Sequence, residues 1–112
     1  MKNSGMTRDE KAYQAKVRDL GCILCLWFLG ERSACETHHM LDDTHRRRGE
    51  MFVLALCPSH HRGGLGGKVS KNNPLGIMSR DHSKRRFEKH YGMTEDEMLD
   101  RQNRMIEQRT VF

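Results

Sequence analysis

Two short cysteine and histidine spacings constrain this chain more than anything else in it. Cys22-Ile23-Leu24-Cys25 is a C-x-x-C and Cys57-Pro58-Ser59-His60 is a C-x-x-H; each is a half-site of the kind that wraps a tetrahedral zinc ion. Composition shows why such a clamp is needed. Of 112 residues only 36% are hydrophobic and 31% are charged, with a mean hydropathy of −0.82. The apolar core is therefore thin against the chain entropy that folding must offset, and a bound metal adds folding free energy of its own. The length suits one domain and is too short for two well-buried ones, which excludes a multidomain enzyme.

Four cysteines would also allow two disulfides, in three pairings. However, the polar start MKNSGMTRDEK lacks the apolar stretch of a secretory signal, and the longest apolar run, residues 22–29, falls far short of the roughly 20 residues of a membrane-spanning helix. These features predict a soluble cytoplasmic protein with no membrane partner, where thiols stay reduced and closely spaced cysteines serve as metal ligands. Cys35 lies outside both half-sites and reads as a spare, partly buried thiol.

Local signals predict the elements around the half-sites. Thr7-x-x-Glu10 is a capping box and Gly21 a natural stop, which places a helix over about residues 8–20. Residues 35–57 read as a β-hairpin: Thr37-His38-His39-Met40-Leu41 and Met51-Phe52-Val53-Leu54-Ala55-Leu56 as short strands around a polar, arginine-rich connection. Pro58 suits the first position of a short helix carrying His60, His61 and Arg62, ended by Gly63-Gly64. The glycine-rich stretch 63–79 predicts a mobile loop. It is not a phosphate-binding P-loop, because Gly67-Lys68 is followed by Val69 instead of Ser or Thr. Ser83 and Gly92 bracket a helix over about 84–91, and a second capping box, Thr94-x-x-Glu97, opens a last helix over about 95–109. Its face of Met98, Leu99, Met105 and Ile106 is core or a partner surface; Trp27 and Phe28 read as core. The fold class is α+β, a single domain over 1–112 with its core at about 22–62.

The net charge is +5 and the isoelectric point about 9.3, with the basic excess confined to residues 1–90. Arg46-Arg47-Arg48 and Lys84-Arg85-Arg86, with Arg62, Lys68, Lys71 and Arg80 between them, suit a phosphate backbone. Charge alone fits a solvated basic face equally well.

Seven histidines include two adjacent pairs, His38-His39 and His60-His61. Neighbours on a helix point about 100° apart, so His60 can complete a zinc site while His61 faces elsewhere. A regular strand sends neighbours to opposite faces; if His38 and His39 serve one site they must lie at a strand end or bend.

The order C-x-x-C, His-His, apolar strand, C-x-x-H-H resembles the HNH, or ββα-metal, nuclease family over residues 22–62. With Glu36-Thr37-His38-His39, LALCPSHHRGG and RRFEKHYG added, residues 22–99 look most like the phage RecA-dependent (Ref-like) HNH nucleases. The resemblance implies a small zinc-stabilised ββα-metal core with flanking helices and a structural zinc on Cys22, Cys25, Cys57 and His60. It implies hydrolysis of DNA phosphodiesters to a 3′-hydroxyl and a 5′-phosphate. His39 is the implied general base; His38 and His61, with His82 as a third ligand, are the implied holders of a catalytic Mg2+, Mn2+ or Zn2+. An imidazole neutral near pH 7 can take a proton from water, and a cation neutralises charge growing on the phosphate. The implied DNA contacts are to backbone, with Arg46, Arg47, Arg48, Arg62, Lys84 and Arg85 as candidates, and the implied partner is a RecA filament in phage or prophage recombination. The family's Asn is missing: residues 49–53 read Gly-Glu-Met-Phe-Val, and Glu50 takes its place, to orient His39 through a hydrogen bond or to help with the metal. The alternative is a zinc-bound DNA-binding module without catalysis, with His38, His39 and His61 in a closed structural site.

Overall fold

The computed structural model describes residues 5–110; the first four residues of the polar start lie outside them. Thr7 opens helix α1, Arg8–Leu20, as its spacing predicts. The Thr7 hydroxyl accepts from the Glu10 amide at 3.1 Å and Glu10 Oε1 accepts from the Thr7 amide at 2.8 Å, which satisfies two amides that have no helical partner. Gly21 ends the helix at φ +79°, a conformation L side chains rarely adopt, and a Cβ there would lie 2.6 Å from the Ser33 carbonyl oxygen. Gln14, Val17 and Leu20 form the buried face of α1.

After Cys22 the chain makes a π-helical turn, Cys25–Leu29, closed by Gly30. Nothing in its apolar sequence signals this wider winding. It turns Trp27 toward the core, where the indole N–H meets Met105 Sδ at 3.0 Å. It leaves Phe28 outside, 49% exposed, with its ring 5.0 Å from that of Tyr91. The expectation that both aromatics are core thus holds for Trp27 and is corrected for Phe28.

Strand β1, Glu36–His39, pairs antiparallel with β2, Val53–Leu56, in the register Glu36↔Leu56, Thr37↔Ala55, His38↔Leu54 and His39↔Val53. Every residue of β2 is buried, and in a two-stranded sheet its outer edge would leave backbone groups unpaired. Gln102 covers that edge: its fully buried amide donates to the Val53 carbonyl and accepts from the Ala55 amide, both at 2.9 Å. In the connection, the Asp42 carboxylate accepts from the Thr44 amide and hydroxyl and from the Arg46 amide, and His45 takes up φ +63°.

Cys57 caps the short helix α2, Pro58–Arg62, which follows β2 directly. The glycine-rich stretch beyond it is hydrogen-bonded back on itself, where the sequence predicted a mobile loop. Gly67 donates to Ile77, Ser79 donates to Leu65, and the buried Asn73 side chain bonds Lys68 and both backbone groups of Ile77. Helices α3, Lys84–Tyr91, and α4, Glu95–Thr110, start at the predicted caps: Ser83 accepts from Arg86, and Thr94 and Glu97 cap each other. Met98, Leu99 and Ile106 are buried in one cluster with Val17, Ile23, Leu24, Met40, β2, Met78 and Phe87, and Met105 packs against it. That face of α4 is therefore core. No described helix is long and apolar enough to cross a membrane.

Candidate metal centres

The two half-sites meet. A tetrahedral zinc ion, with Zn–S of about 2.3 Å and Zn–N of about 2.0 Å, needs sulfur–sulfur edges of about 3.8 Å and sulfur–nitrogen edges of about 3.5 Å. Cys25 Sγ and Cys57 Sγ lie 3.8 Å apart, and His60 Nδ1 lies 3.6 Å from Cys22, 3.6 Å from Cys25 and 3.2 Å from Cys57. All four residues are buried. Amides aim at the sulfurs, Cys25 N–H at Cys22 and His60 N–H at Cys57, as negative thiolates require. Burial pushes the Cys22 and Cys25 thiols above their ordinary range and lowers the His60 imidazole to about 4, so the ring is a neutral donor while the thiols need a cation to ionise. This Cys3His cluster could hold a structural metal such as zinc. Cys35 stays outside it, half-buried, its Sγ toward the Arg18 carbonyl.

Because His60 and His61 are consecutive on α2, His61 faces away from the cluster toward β1. There its Nε2 lies 3.3 Å from His38 Nδ1, and an Asp81 carboxylate oxygen completes a group whose ligand atoms are all within 4.8 Å of one another. The other nitrogen of each ring is on a carboxylate: His38 Nε2 meets Glu95 Oε2 at 3.2 Å, and His61 Nδ1 meets Glu36 Oε1 at 2.8 Å. Arg62, chiefly, with His61, holds the Glu36 carboxyl at about 2. Burial opposes the charge of Glu95, but His38 and Arg80 outweigh it and hold that carboxyl at about 2 as well. Two ionised carboxylates can only accept, so the nitrogen of each ring that faces one carries a proton. In two neutral rings the nitrogens that face each other would then both be lone pairs, which repel at 3.3 Å unless a proton or a cation sits between them. A cation at about 2.1 Å from each, with angles between octahedral and tetrahedral, sets them about 3.0–3.4 Å apart. The donor set of two imidazoles and a carboxylate fits a divalent transition metal.

Asp81 and Glu95 were not singled out from the sequence, and Glu36 entered only as the first residue of the Glu36-Thr37-His38-His39 motif, with no role given to it. The His82 imidazole is not part of this group: His82 is exposed, and a Cβ on Gly66 would lie 3.6 Å from its Nε2. The segment reaches the site one residue earlier, because the Arg80 and Asp81 amides bond the His60 and His61 carbonyls at 2.7 and 2.9 Å.

His39 closes β1, the strand-end position that adjacent histidines need in order to serve one site. Its Nε2 meets Glu50 Oε1 at 3.1 Å. Buried Gln14 of α1 steadies Glu50 by donating to its backbone oxygen at 2.7 Å and to Oε1 at 3.2 Å. The bond to His39, against a smaller effect of burial, lowers the Glu50 carboxyl below its usual range.

The basic candidates divide. Arg46, Arg47, Arg48, Arg62, Lys84 and Arg85 are all exposed and differ in what they contact. Lys84 and Arg80 line a cleft of about 340 Å³ with Leu41, Asp42, Asp43 and His45. Arg48, in contrast, is tied to Asp96 and stacked 4.4 Å over the Phe52 ring, and Arg62 is clamped on Glu36 through two hydrogen bonds of 2.7 and 2.9 Å.

A Cys3His knuckle that joins two ends of a thin core, beside an imidazole and carboxylate cluster, defines a small α+β protein built around metal-ligand side chains. A family model described as recombination enhancement, RecA-dependent nuclease, matches residues 6–107, and the chain belongs to that family. The family's name is that of a nuclease acting in recombination in dependence on RecA. No curated protein and no solved structure matches the chain.

Proposed function

We propose that the chain is a metal-dependent DNA endonuclease of the HNH type, acting with RecA-bound DNA in recombination. One observation carries the metal-dependent part: His38 Nδ1 and His61 Nε2 face each other at 3.3 Å beside Asp81, with both distal nitrogens on carboxylates. Carboxylates behind metal-ligating imidazoles are the usual way of fixing which nitrogen meets the ion. In this reading Cys22, Cys25, Cys57 and His60 hold a structural zinc that folds the chain, and His38, His61 and Asp81 hold a catalytic Mn2+, Mg2+ or Zn2+. A cation held by these residues would supply Lewis-acid stabilisation of the charge that grows on the phosphate.

The chain's own groups do the rest. With Nε2 on Glu50, His39 has Nδ1 as the ring nitrogen that accepts a proton from the attacking water. As that proton moves, the water oxygen bonds to phosphorus and the bond from phosphorus to the 3′ oxygen breaks. The leaving oxygen takes a proton from solvent, which gives a 3′-hydroxyl and a 5′-phosphate. Arg46, Arg47, Lys84 and Arg85 contact DNA phosphates and carry little sequence information. The test is cleavage by wild type beside His39→Ala in protein that keeps its zinc. A folded, zinc-loaded wild type that cuts nothing would be a DNA-binding module instead.

A further inference from the structure

We infer that Glu95, held by Arg80, is the positioning residue of His38, so that the first turn of α4 belongs to the active site and not only to the core. Glu95 is 3% exposed, and a carboxylate at that depth is costly unless every contact is satisfied. Its contacts are His38 Nε2 at 3.2 Å and Arg80 Nε at 2.7 Å, while its own amide donates to Glu88 Oε2 at 2.7 Å. Packing alone would favour an apolar side chain beside Met98 and Leu99. What the buried pair does instead is hold the rear of one imidazole.

The same arrangement occurs on the second ring. His61 Nδ1 meets Glu36, and Glu36 is clamped by Arg62. Each imidazole that faces the Asp81 group thus has a carboxylate behind it, and each carboxylate has an arginine. The Glu36 side chain is 28% exposed against 3% for Glu95, so Glu95 is the better shielded and the more rigid of the two. Residues 80 and 81 join the halves of this arrangement. Docked on α2 through the His60 and His61 carbonyls, they send Asp81 to the front of the cluster and Arg80 to Glu95 at its back. A ring held in this way keeps one tautomer and one orientation, which strengthens it as a ligand.

The inference rests on the metal-site reading above, and its test separates the two. In zinc-loaded protein without added Mn2+, 15N NMR reads the tautomer of His38, whose signals are those lost in His38→Ala. Calorimetry then reads Mn2+ affinity. The variants are Glu95→Gln, which keeps an acceptor for the ring N–H, and Glu95→Leu combined with Arg80→Met, which removes both buried charges together. Wild-type His38 is expected to carry its proton on Nε2. The paired replacement is expected to lose that preference and to weaken Mn2+ binding about 10- to 100-fold, with the Gln variant keeping the tautomer and falling between. A folded paired variant with wild-type tautomer and wild-type affinity overturns the inference. If only the Gln variant folds, unchanged Mn2+ affinity in it does the same. Should wild type bind no Mn2+ at His38 and His61, the metal-site reading fails, and the tautomer alone decides whether Glu95 orients His38.

Discussion

His38 Nδ1 and His61 Nε2 face each other across 3.3 Å, and that contact organises what surrounds it. Asp81 brings a third potential ligand atom to the pair, and Glu95 and Glu36 stand behind the two rings. Removing any one donor should therefore cost metal-dependent activity without touching the Cys3His cluster. His38→Ala, His61→Ala and Asp81→Ala are each expected to lower cleavage at least about 100-fold while one zinc per chain is retained. His82→Ala is expected to cleave within a few-fold of wild type. Zinc content by atomic absorption, measured beside cleavage, checks both parts; loss of zinc in the Asp81 variant would contradict the division of ligands.

Metal choice follows from the same donors. Imidazole nitrogens bind first-row transition ions, Mn2+ included, better than Mg2+, which prefers oxygen ligands and keeps its waters. Mn2+ is expected to support cleavage at lower concentration than Mg2+, as titration of activity with each ion would show. Half-saturation at lower Mg2+ than Mn2+ would argue against the His38, His61 and Asp81 set.

The knuckle should behave as part of the folding equilibrium. With so small a core, complete removal of zinc by a strong chelator is expected to unfold the protein, followed by circular dichroism. Native structure after zinc removal would contradict the role given to Cys22, Cys25, Cys57 and His60.

Acid should attack the knuckle before the carboxylates. Burial raises the Cys22 and Cys25 thiols, so zinc must displace their protons, and its affinity falls as pH falls. Glu36 and Glu95 go the other way, from an ordinary 4.5 to about 2. Their depressed values add stability that is complete above about 4.5 and is lost only as pH drops toward 2. The first acid transition is therefore expected to lie above that window and to move to lower pH as free zinc is raised. A midpoint independent of zinc would contradict this.

Gln102 carries a prediction about the fold itself. Its amide is the partner of the β2 edge at Val53 and Ala55, and Gln102→Leu would strand a buried carbonyl and a buried amide. A loss of about 1–3 kcal/mol per unsatisfied group is expected, measured by urea unfolding with zinc bound. Wild-type stability would show that the edge finds other partners.

What the sequence made legible were features encoded over a few residues. The capping boxes at Thr7 and Thr94, the stops at Gly21 and Gly92, Pro58 opening α2, and both zinc half-sites stand where local spacing put them. The contact between His39 and Glu50 is one of the two roles the family resemblance left open for Glu50. What stayed hidden depends on distant parts of the chain. Asp81, Glu95 and Gln102 are ordinary polar residues until the fold brings them against histidines or a strand edge, and no spacing marks them beforehand; Glu36 stands in a quoted motif, but its place behind His61 appears only once α2 packs on β1. The π-helical turn was hidden for a different reason: an apolar run reads the same in either winding, yet the choice decides that Trp27 packs inward and Phe28 outward.

The proposed reaction is cleavage of DNA by this chain with a bound cation and His39 as base. The direct measurement is cleavage of single-stranded and duplex DNA in Mn2+, with and without a RecA filament, by wild type and by His39→Ala of equal zinc content. Expected are metal-dependent cleavage by wild type, stimulated by the filament, and a loss of about 10²- to 10⁴-fold in His39→Ala. Cleavage by neither protein in any condition, with the fold intact and zinc bound, would contradict the claim and leave a DNA-binding module; equal cleavage by both would remove His39 from its role.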